Sequence, residues 1–115
     1  MNEKFIQLSG EDGTALPYLA AGGHGCISVT ANIAPNLLSR MHNAWQQGDI
    51  QTAQEINQKL MPLHDALFCE TSPGPLKYAA SLINICQSDT RLPIVEIASE
   101  SKKRVEEGLK FAELM

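Results

Sequence analysis

A polar, glycine-containing segment is the first part of the chain whose residue types could do chemistry. Ser9-Gly10-Glu11-Asp12 follows a short apolar run at residues 4–8 and supplies hydroxyl, carboxylate and free backbone groups where a strand would end. Loops of this kind often carry binding residues, because a rigid scaffold positions them. Serine, glycine and acidic residues also make ordinary turns. The segment therefore predicts either a pocket rim or a simple turn.

Two other candidates for chemistry have simpler explanations. Gly22-Gly23-His24-Gly25 lacks the spacing and the following lysine of a phosphate-binding loop. It precedes a predicted strand instead of a helix, so we expect a tight turn. Lys77 follows two prolines and adjoins Tyr78. We expect it to be a solvated cation or a cation–π partner and not a reactive amine.

The histidines and cysteines do not predict a metal site. The histidines have no metal-ligand spacing with carboxylates or thiolates, and we expect them to be surface or capping groups. The cysteines are odd in number and lack a Cys-x-x-Cys pair, which favours reduced, buried thiols over a disulfide framework or a zinc site. We predict no metal and no cofactor. The residues concerned are His24, His42, His64, Cys26, Cys69 and Cys86.

Composition excludes several classes of partner. The 115 residues carry a formal net charge of −4, with nine Lys and Arg scattered along the chain. No basic face is available to neutralise phosphates, so nucleic acid is not an expected partner. No apolar run approaches the roughly 20 residues that cross a bilayer, and the first residues show no apolar signal region. We expect no membrane partner and a cytoplasmic location.

The elements that would position the polar segments begin as strand, helix and strand. Residues 4–8 form an apolar run that predicts a buried strand. A helix is predicted over residues 14–21, with Pro17 in its first turn and a glycine stop after it. The β-branched run at residues 26–30 predicts a second buried strand. This order favours parallel pairing through a right-handed crossover.

Two amphipathic helices are predicted next. The first lies between Pro35 and Gly48, and Asp49 caps the second, whose apolar stripe runs over residues 50–67 with Pro62 as a kink. The apolar positions of the first helix, which we expect to pack in the core and not to bind a ligand, are Leu37, Leu38, Met41, Ala44 and Trp45.

The remainder of the chain is also predicted to be mainly helical. The segment Ser72-Pro73-Gly74-Pro75 breaks the chain before a helix at residues 76–85. Residues 92–96 form an extended connector. Ser99 is the predicted cap of a last helix. The residues expected on its buried face are Val105, Leu109 and Ala112.

The predicted sheet is incomplete by itself. Two parallel strands leave both sheet edges unpaired, whereas parallel sheets normally lie buried among several neighbouring strands. We therefore expect further strands from a missing segment or from other copies of the chain.

Several segments, taken in order, resemble the dihydrodipicolinate synthase and N-acetylneuraminate lyase family. They are Leu8-Ser9-Gly10-Glu11-Asp12, the run from Gly22 to Asn32, Leu60-Met61-Pro62-Leu63-His64, Pro73-Gly74-Pro75-Leu76-Lys77-Tyr78 and Arg91-Leu92-Pro93. Each segment is weak alone, but the ordered set covers nearly the whole chain and is similar to the last third of 4-hydroxy-tetrahydrodipicolinate synthases.

The resemblance implies an α/β fold, the C-terminal fragment of a (β/α)₈ TIM barrel. Residues 5–8 would be its seventh strand and residues 26–30 its eighth. Residues 1–70 would then form the last two β/α units, and residues 71–115 an appended C-terminal helical bundle. A complete barrel needs roughly 250 residues, more than twice this length.

The resemblance also implies a reaction and a few site residues. The family reaction is a Schiff-base condensation of pyruvate with L-aspartate 4-semialdehyde in lysine and diaminopimelate biosynthesis. The family's catalytic lysine, tyrosine and hydroxyl relay lie upstream, so we expect no catalytic residue here and no activity from the chain alone. Ile27 matches the position that contacts pyruvate. Ser9, Gly10 and Asp12 match the pocket rim, while Glu11 replaces a commoner aspartate.

Three alternatives stay open at this stage. The chain could be a partial lyase, or a complementing subunit that docks on a missing N-terminal barrel segment or on another copy of itself. It could also be a non-catalytic remnant of a related pyruvate-dependent aldolase such as N-acetylneuraminate lyase.

Overall fold

The computed structural model describes residues 5–115 of the chain. In sequence order its strands are β1 (Leu8–Ser9) and β2 (Gly25–Cys26), and its helices are α1 (Ala15–Ala20), α2 (Pro35–Gln46), α3 (Ile50–Leu67), α4 (Gly74–Leu82) and α5 (Ser99–Phe111). Short 3₁₀ turns cover Asp12–Thr14 and Thr30–Asn32. Within the described part we find no helix with both the length and the apolar character that crossing a membrane requires.

The two strands pair in parallel, as their crossover through α1 predicts. Leu8 lies opposite Gly25 and Ser9 opposite Cys26. Backbone bonds extend the pairing on both sides, since His24 N–H donates to the Gln7 carbonyl and Ile27 N–H to the Ser9 carbonyl. The predicted parallel unit is therefore confirmed, although each strand is shorter than expected. Part of the first predicted strand, Lys4, lies outside the described residues.

The second strand ends earlier than its β-branched sequence predicts. Residues 26–30 were expected to be extended, but regular pairing stops at Cys26 and a 3₁₀ turn begins at Thr30. The reason is a carboxylate from elsewhere in the chain, because Asp12 accepts hydrogen bonds from the N–H groups of Val29 and Thr30. These bonds replace strand pairing, and local propensity gives no sign of them.

Helices α2 and α3 follow their predicted bounds closely. Gly48 ends the first helix with a positive φ of 80°, which a residue without Cβ adopts at no steric cost. Asp49 is the N-cap of α3, and its carboxylate accepts from the Thr52 N–H at 3.1 Å. The predicted cap is thus confirmed. Ile50 departs from the predicted buried stripe, since half of it is exposed.

The last helix begins differently from the prediction. Ser99 was expected to cap α5, but Ala98 is the N-cap and has no capping side chain of its own. Glu70, which follows α3, accepts the Ala98 N–H at 2.8 Å and so ties the start of α5 to the end of α3. Hydrogen bonds from the Ser101 side chain and, to a smaller extent, from the Ala98 N–H hold the pKa of Glu70 below its ordinary value. A contact so distant in sequence leaves no local pattern.

The core lies where α3 packs between α2 and α5. Met41, Leu60, Leu63, Val105 and Leu109 are fully buried. Trp45 is partly buried against this cluster, so the predicted core role of the α2 apolar face is confirmed. Gly108 allows α5 to approach closely, since a Cβ there would lie 3.0 Å from the Leu63 Cα.

Candidate functional site

The β1–α1 loop carries the first group of predicted site residues. Ser9 is buried, and its hydroxyl both donates to the Glu11 carbonyl and accepts the Glu11 N–H. Gly10 and Glu11 are exposed, whereas Asp12 is 2% exposed. The hydroxyl therefore shapes a turn that presents Gly10 and Glu11 outward and turns Asp12 inward.

Asp12 joins this loop to the segment that follows β2. Its Oδ1 accepts the Ser28 hydroxyl, and its Oδ2 accepts the N–H groups of Val29 at 2.9 Å and Thr30 at 3.1 Å. The Ser28 hydroxyl in turn accepts the Ala31 N–H. A buried carboxylate needs such partners, because leaving it unpaired would cost several kcal/mol. Asp12 thus serves as the link between two loops at the same end of the sheet.

Ile27 lies at the end of β2 with its side chain 72% exposed. Its backbone is fixed all the same, because the Ile27 N–H donates to the Ser9 carbonyl at 2.8 Å. Exposed apolar side chains of the same region are Phe5, Ile6 and Leu8. The predicted pyruvate-contacting residue therefore stands beside the predicted rim loop, on an apolar and uncovered face of the strands.

His64 is the residue that sequence reasoning placed wrongly. It was expected at the surface or at a cap, yet it is 2% exposed on α3 and forms a 2.7 Å hydrogen bond through Nδ1 with the Thr30 hydroxyl. Burial lowers the pKa of His64, and the negative charges of Asp12 and Asp65 oppose part of that effect. Its position four residues after Leu60, on the buried stripe, is the sequence signal that was available.

A cavity of about 570 Å³ opens beside this region, between the β1–α1 loop, the end of α3 and the exposed side of α5. Of the three predicted rim residues, Gly10 lines this cavity, whereas Ser9 and Asp12 do not. His64 lines it too, and its Nε2 is buried without a hydrogen-bond partner. The lining residues are Gly10, Glu11, Gly13, His64, Asp65, Phe68, Cys69 and Arg104.

The other residues considered for chemistry lie apart from this end of the strands. The cation over the Tyr78 ring is Lys102, at 5.5 Å from the ring centre, and Lys77 lies at the start of α4. All three cysteines are free, but Cys86 is exposed and the other two are only partly buried, so the expectation of buried thiols is wrong. Among the described residues, no three His, Cys, Asp or Glu side chains cluster as metal ligands would.

The family comparison identifies the class of protein to which this arrangement belongs. Over 99% of its length the chain superposes on dihydrodipicolinate synthases, of which it covers 38% and 39%. The model of the dihydrodipicolinate synthetase family matches residues 1–112. The chain belongs to this family.

Curated relatives agree with that assignment. The chain is 53% identical over 114 residues to the 4-hydroxy-tetrahydrodipicolinate synthase of Gluconacetobacter diazotrophicus and 50% identical over 115 residues to that of Bradyrhizobium diazoefficiens. These matches cover 99% and 100% of this chain. The chain spans only 38% and 39% of the lengths of these two relatives.

Solved structures match the chain over a similar share. Dihydrodipicolinate synthase from Thermotoga maritima superposes with a TM-score of 0.95 at 33% identity, over 99% of this chain and 39% of its own. The chloride-inhibited enzyme from Acinetobacter baumannii, complexed with pyruvate, gives a TM-score of 0.91 at 36% identity, over 99% of this chain and 39% of its own.

Proposed function

We propose that this chain supplies the last two strands and the C-terminal helices of a 4-hydroxy-tetrahydrodipicolinate synthase barrel. In this proposal residues 1–70 form the last two β/α units and residues 71–115 the appended helical region. The observation that carries the proposal is the apolar strand face of Ile6, Leu8 and Ile27, which is at least half exposed. Neighbouring barrel strands would bury such a face.

The reaction of the completed barrel would be the condensation of pyruvate with L-aspartate 4-semialdehyde. A lysine of the N-terminal segment would attack the pyruvate carbonyl, form the Schiff base and release water. This step needs an amine held neutral in a dry pocket and a positioned proton-transfer group. The described residues offer no such pair at the strand ends. The chain would therefore contribute groups that bind and orient pyruvate, and by itself it would not catalyse the condensation.

Within the completed site, Ile27 would form part of the pyruvate pocket and Gly10 part of its rim. Ile27 has an apolar side chain free to contact the methyl group of pyruvate, and its backbone is already hydrogen-bonded to Ser9. The pyruvate complex of the Acinetobacter baumannii relative supports this ligand class. A biosynthetic enzyme of this kind would act in the cytoplasm.

Borohydride trapping tests the proposal. The chain is mixed with the complementary N-terminal segment of the Gluconacetobacter diazotrophicus relative, incubated with pyruvate and reduced, and each chain is then weighed by mass spectrometry. We expect a reduced pyruvate adduct on a lysine of the N-terminal segment, formed only in the mixture. An adduct on this chain, at Lys77 for example, would place the chemistry elsewhere and contradict the proposal.

A second function, that of a separate complementing subunit, is favoured by the same uncovered strand face. In that case the two segments should co-purify when they are produced together from separate genes. Failure of the pair to co-purify, together with a non-cooperative thermal transition of this chain, would instead favour a remnant without activity.

A further inference from the structure

The segment from Ser28 to Thr30, directly after Ile27, is held in place by side chains that are distant in sequence. Regular strand pairing has ended at Cys26, yet Asp12 binds the Ser28 hydroxyl and the N–H groups of Val29 and Thr30. Strand pairing to Ser9 holds Ile27, and the buried Asp12 carboxylate holds the residues directly after it.

A second anchor holds the same segment from the side of α3. The Thr30 hydroxyl and His64 Nδ1 are 2.7 Å apart, and Thr30 is fully buried. With Asp12 and His64 each 2% exposed, the three residues form a continuous polar chain that is closed to solvent. Buried hydrogen bonds of this kind fix geometry strongly, because breaking one leaves an unpaired polar group away from water.

We propose that Asp12, Thr30 and His64 are positioning residues. They hold residues 28–30, which directly follow Ile27, and so keep Ile27 in place for the binding of a small 2-keto carboxylate such as pyruvate. This inference rests on the proposed function, since it concerns the same site. Asp12 acts through its neighbours, because both of its carboxylate oxygens already accept hydrogen bonds within the chain. The backbone at the site is therefore held by His64 of α3 as well as by the pairing of the strands.

The test uses a matched pair of substitutions at Thr30. Thr30→Val keeps the shape of the side chain and removes the hydroxyl, whereas Thr30→Ser keeps the hydroxyl. In the active mixture with the N-terminal segment, Thr30→Val should raise the KM for pyruvate roughly tenfold, the equivalent of one buried hydrogen bond, and change kcat less. Thr30→Ser should restore the KM. An unchanged KM with a smaller assembled fraction would show a merely structural role and overturn the inference.

A measurement on this chain alone separates the inference from the proposed function. Amide hydrogen exchange at Val29 and Thr30 should be faster in Thr30→Val than in the unchanged chain and in Thr30→Ser. If the unchanged mixture has no activity, the proposed function fails, while the exchange rates still decide whether His64 holds the segment. Equal exchange in all three chains would overturn the positioning role.

Discussion

At the scale of single residues, His64 shows how a titratable side chain can be absorbed into a core. It lies among the leucines of α3 and forms a hydrogen bond with Thr30, while its Nε2 has no partner among residues 5–115. Burial disfavours the charged imidazolium, and this lowers the pKa of His64 despite the nearby charge of Asp12. The folded chain therefore requires a neutral ring at this position.

This requirement gives the stability of the chain a pH dependence. As pH falls through 6.5, the ordinary pKa of histidine, His64 is protonated in the unfolded chain. In the folded chain it is protonated only at a lower pH, because its pKa is lowered. The unfolded state binds more protons in that window. Each unit by which the pH is lowered should therefore reduce the free energy of unfolding by up to about 1.4 kcal/mol. Below the folded pKa the effect should level off.

Urea unfolding at a series of pH values between about 5.5 and 7.5 measures the effect, above the range where carboxylates titrate. His64→Asn should show a shallower slope than the unchanged chain. The His64→Asn chain should keep part of the pH dependence of stability, because burial also lowers the pKa of His42. Equal slopes in the two chains would mean that the His64 ring is not kept neutral by the fold.

At the scale of elements, the sequence predicted correctly those features that depend on residues close to them in the chain. The periodic apolar positions of α2 and α3, the Gly48 stop and the Asp49 cap lie in or next to the helices they define. Apart from the half-exposed Ile50, they agree with the structure. Strand β2 and the start of α5 were misjudged, because Asp12 and Glu70 act on them from far along the chain. The candidate site depends on just such distant contacts. Residue types alone indicated the β1–α1 loop only as a rim or a turn, and Ile27 as a site residue stays a prediction from the family resemblance.

The close approach of α5 to α3 at Gly108 gives a prediction about their packing. A Cβ at Gly108 would lie 3.0 Å from the Leu63 Cα and 3.3 Å from the Leu63 nitrogen, which are backbone atoms that cannot move aside easily. Gly108→Ala should destabilise the chain by about 1–3 kcal/mol through overpacking, less a helix-propensity gain of up to about 1 kcal/mol.

Thermal and urea unfolding measure the outcome. Lys103→Ala, at an exposed position of the same helix, is the matched control and should change stability by no more than about 0.5 kcal/mol. A Gly108→Ala chain that is more stable than the unchanged chain would show that α5 does not pack closely on α3.

At the scale of the whole molecule, the chain combines a buried helical core with an uncovered strand face. Ile6 and Ile27 are 69% and 72% exposed, while the helix interfaces exclude water from residues such as Leu63 and Leu109. Exposed apolar side chains on unpaired strand edges favour association with another chain. In the proposed barrel, the N-terminal segment would cover this face.

The isolated chain should therefore self-associate through its strands and bind a hydrophobic dye, and the N-terminal segment should suppress both. Ile6→Lys places a charge on the face and should reduce self-association and dye binding, as measured by sedimentation velocity and fluorescence. Phe111→Lys changes a comparably exposed apolar residue, 59% exposed on α5, and should leave both largely unchanged. Equal effects of the two substitutions would show that association is not specific to the strand face, and a monomeric unchanged chain that binds no dye would contradict the prediction outright.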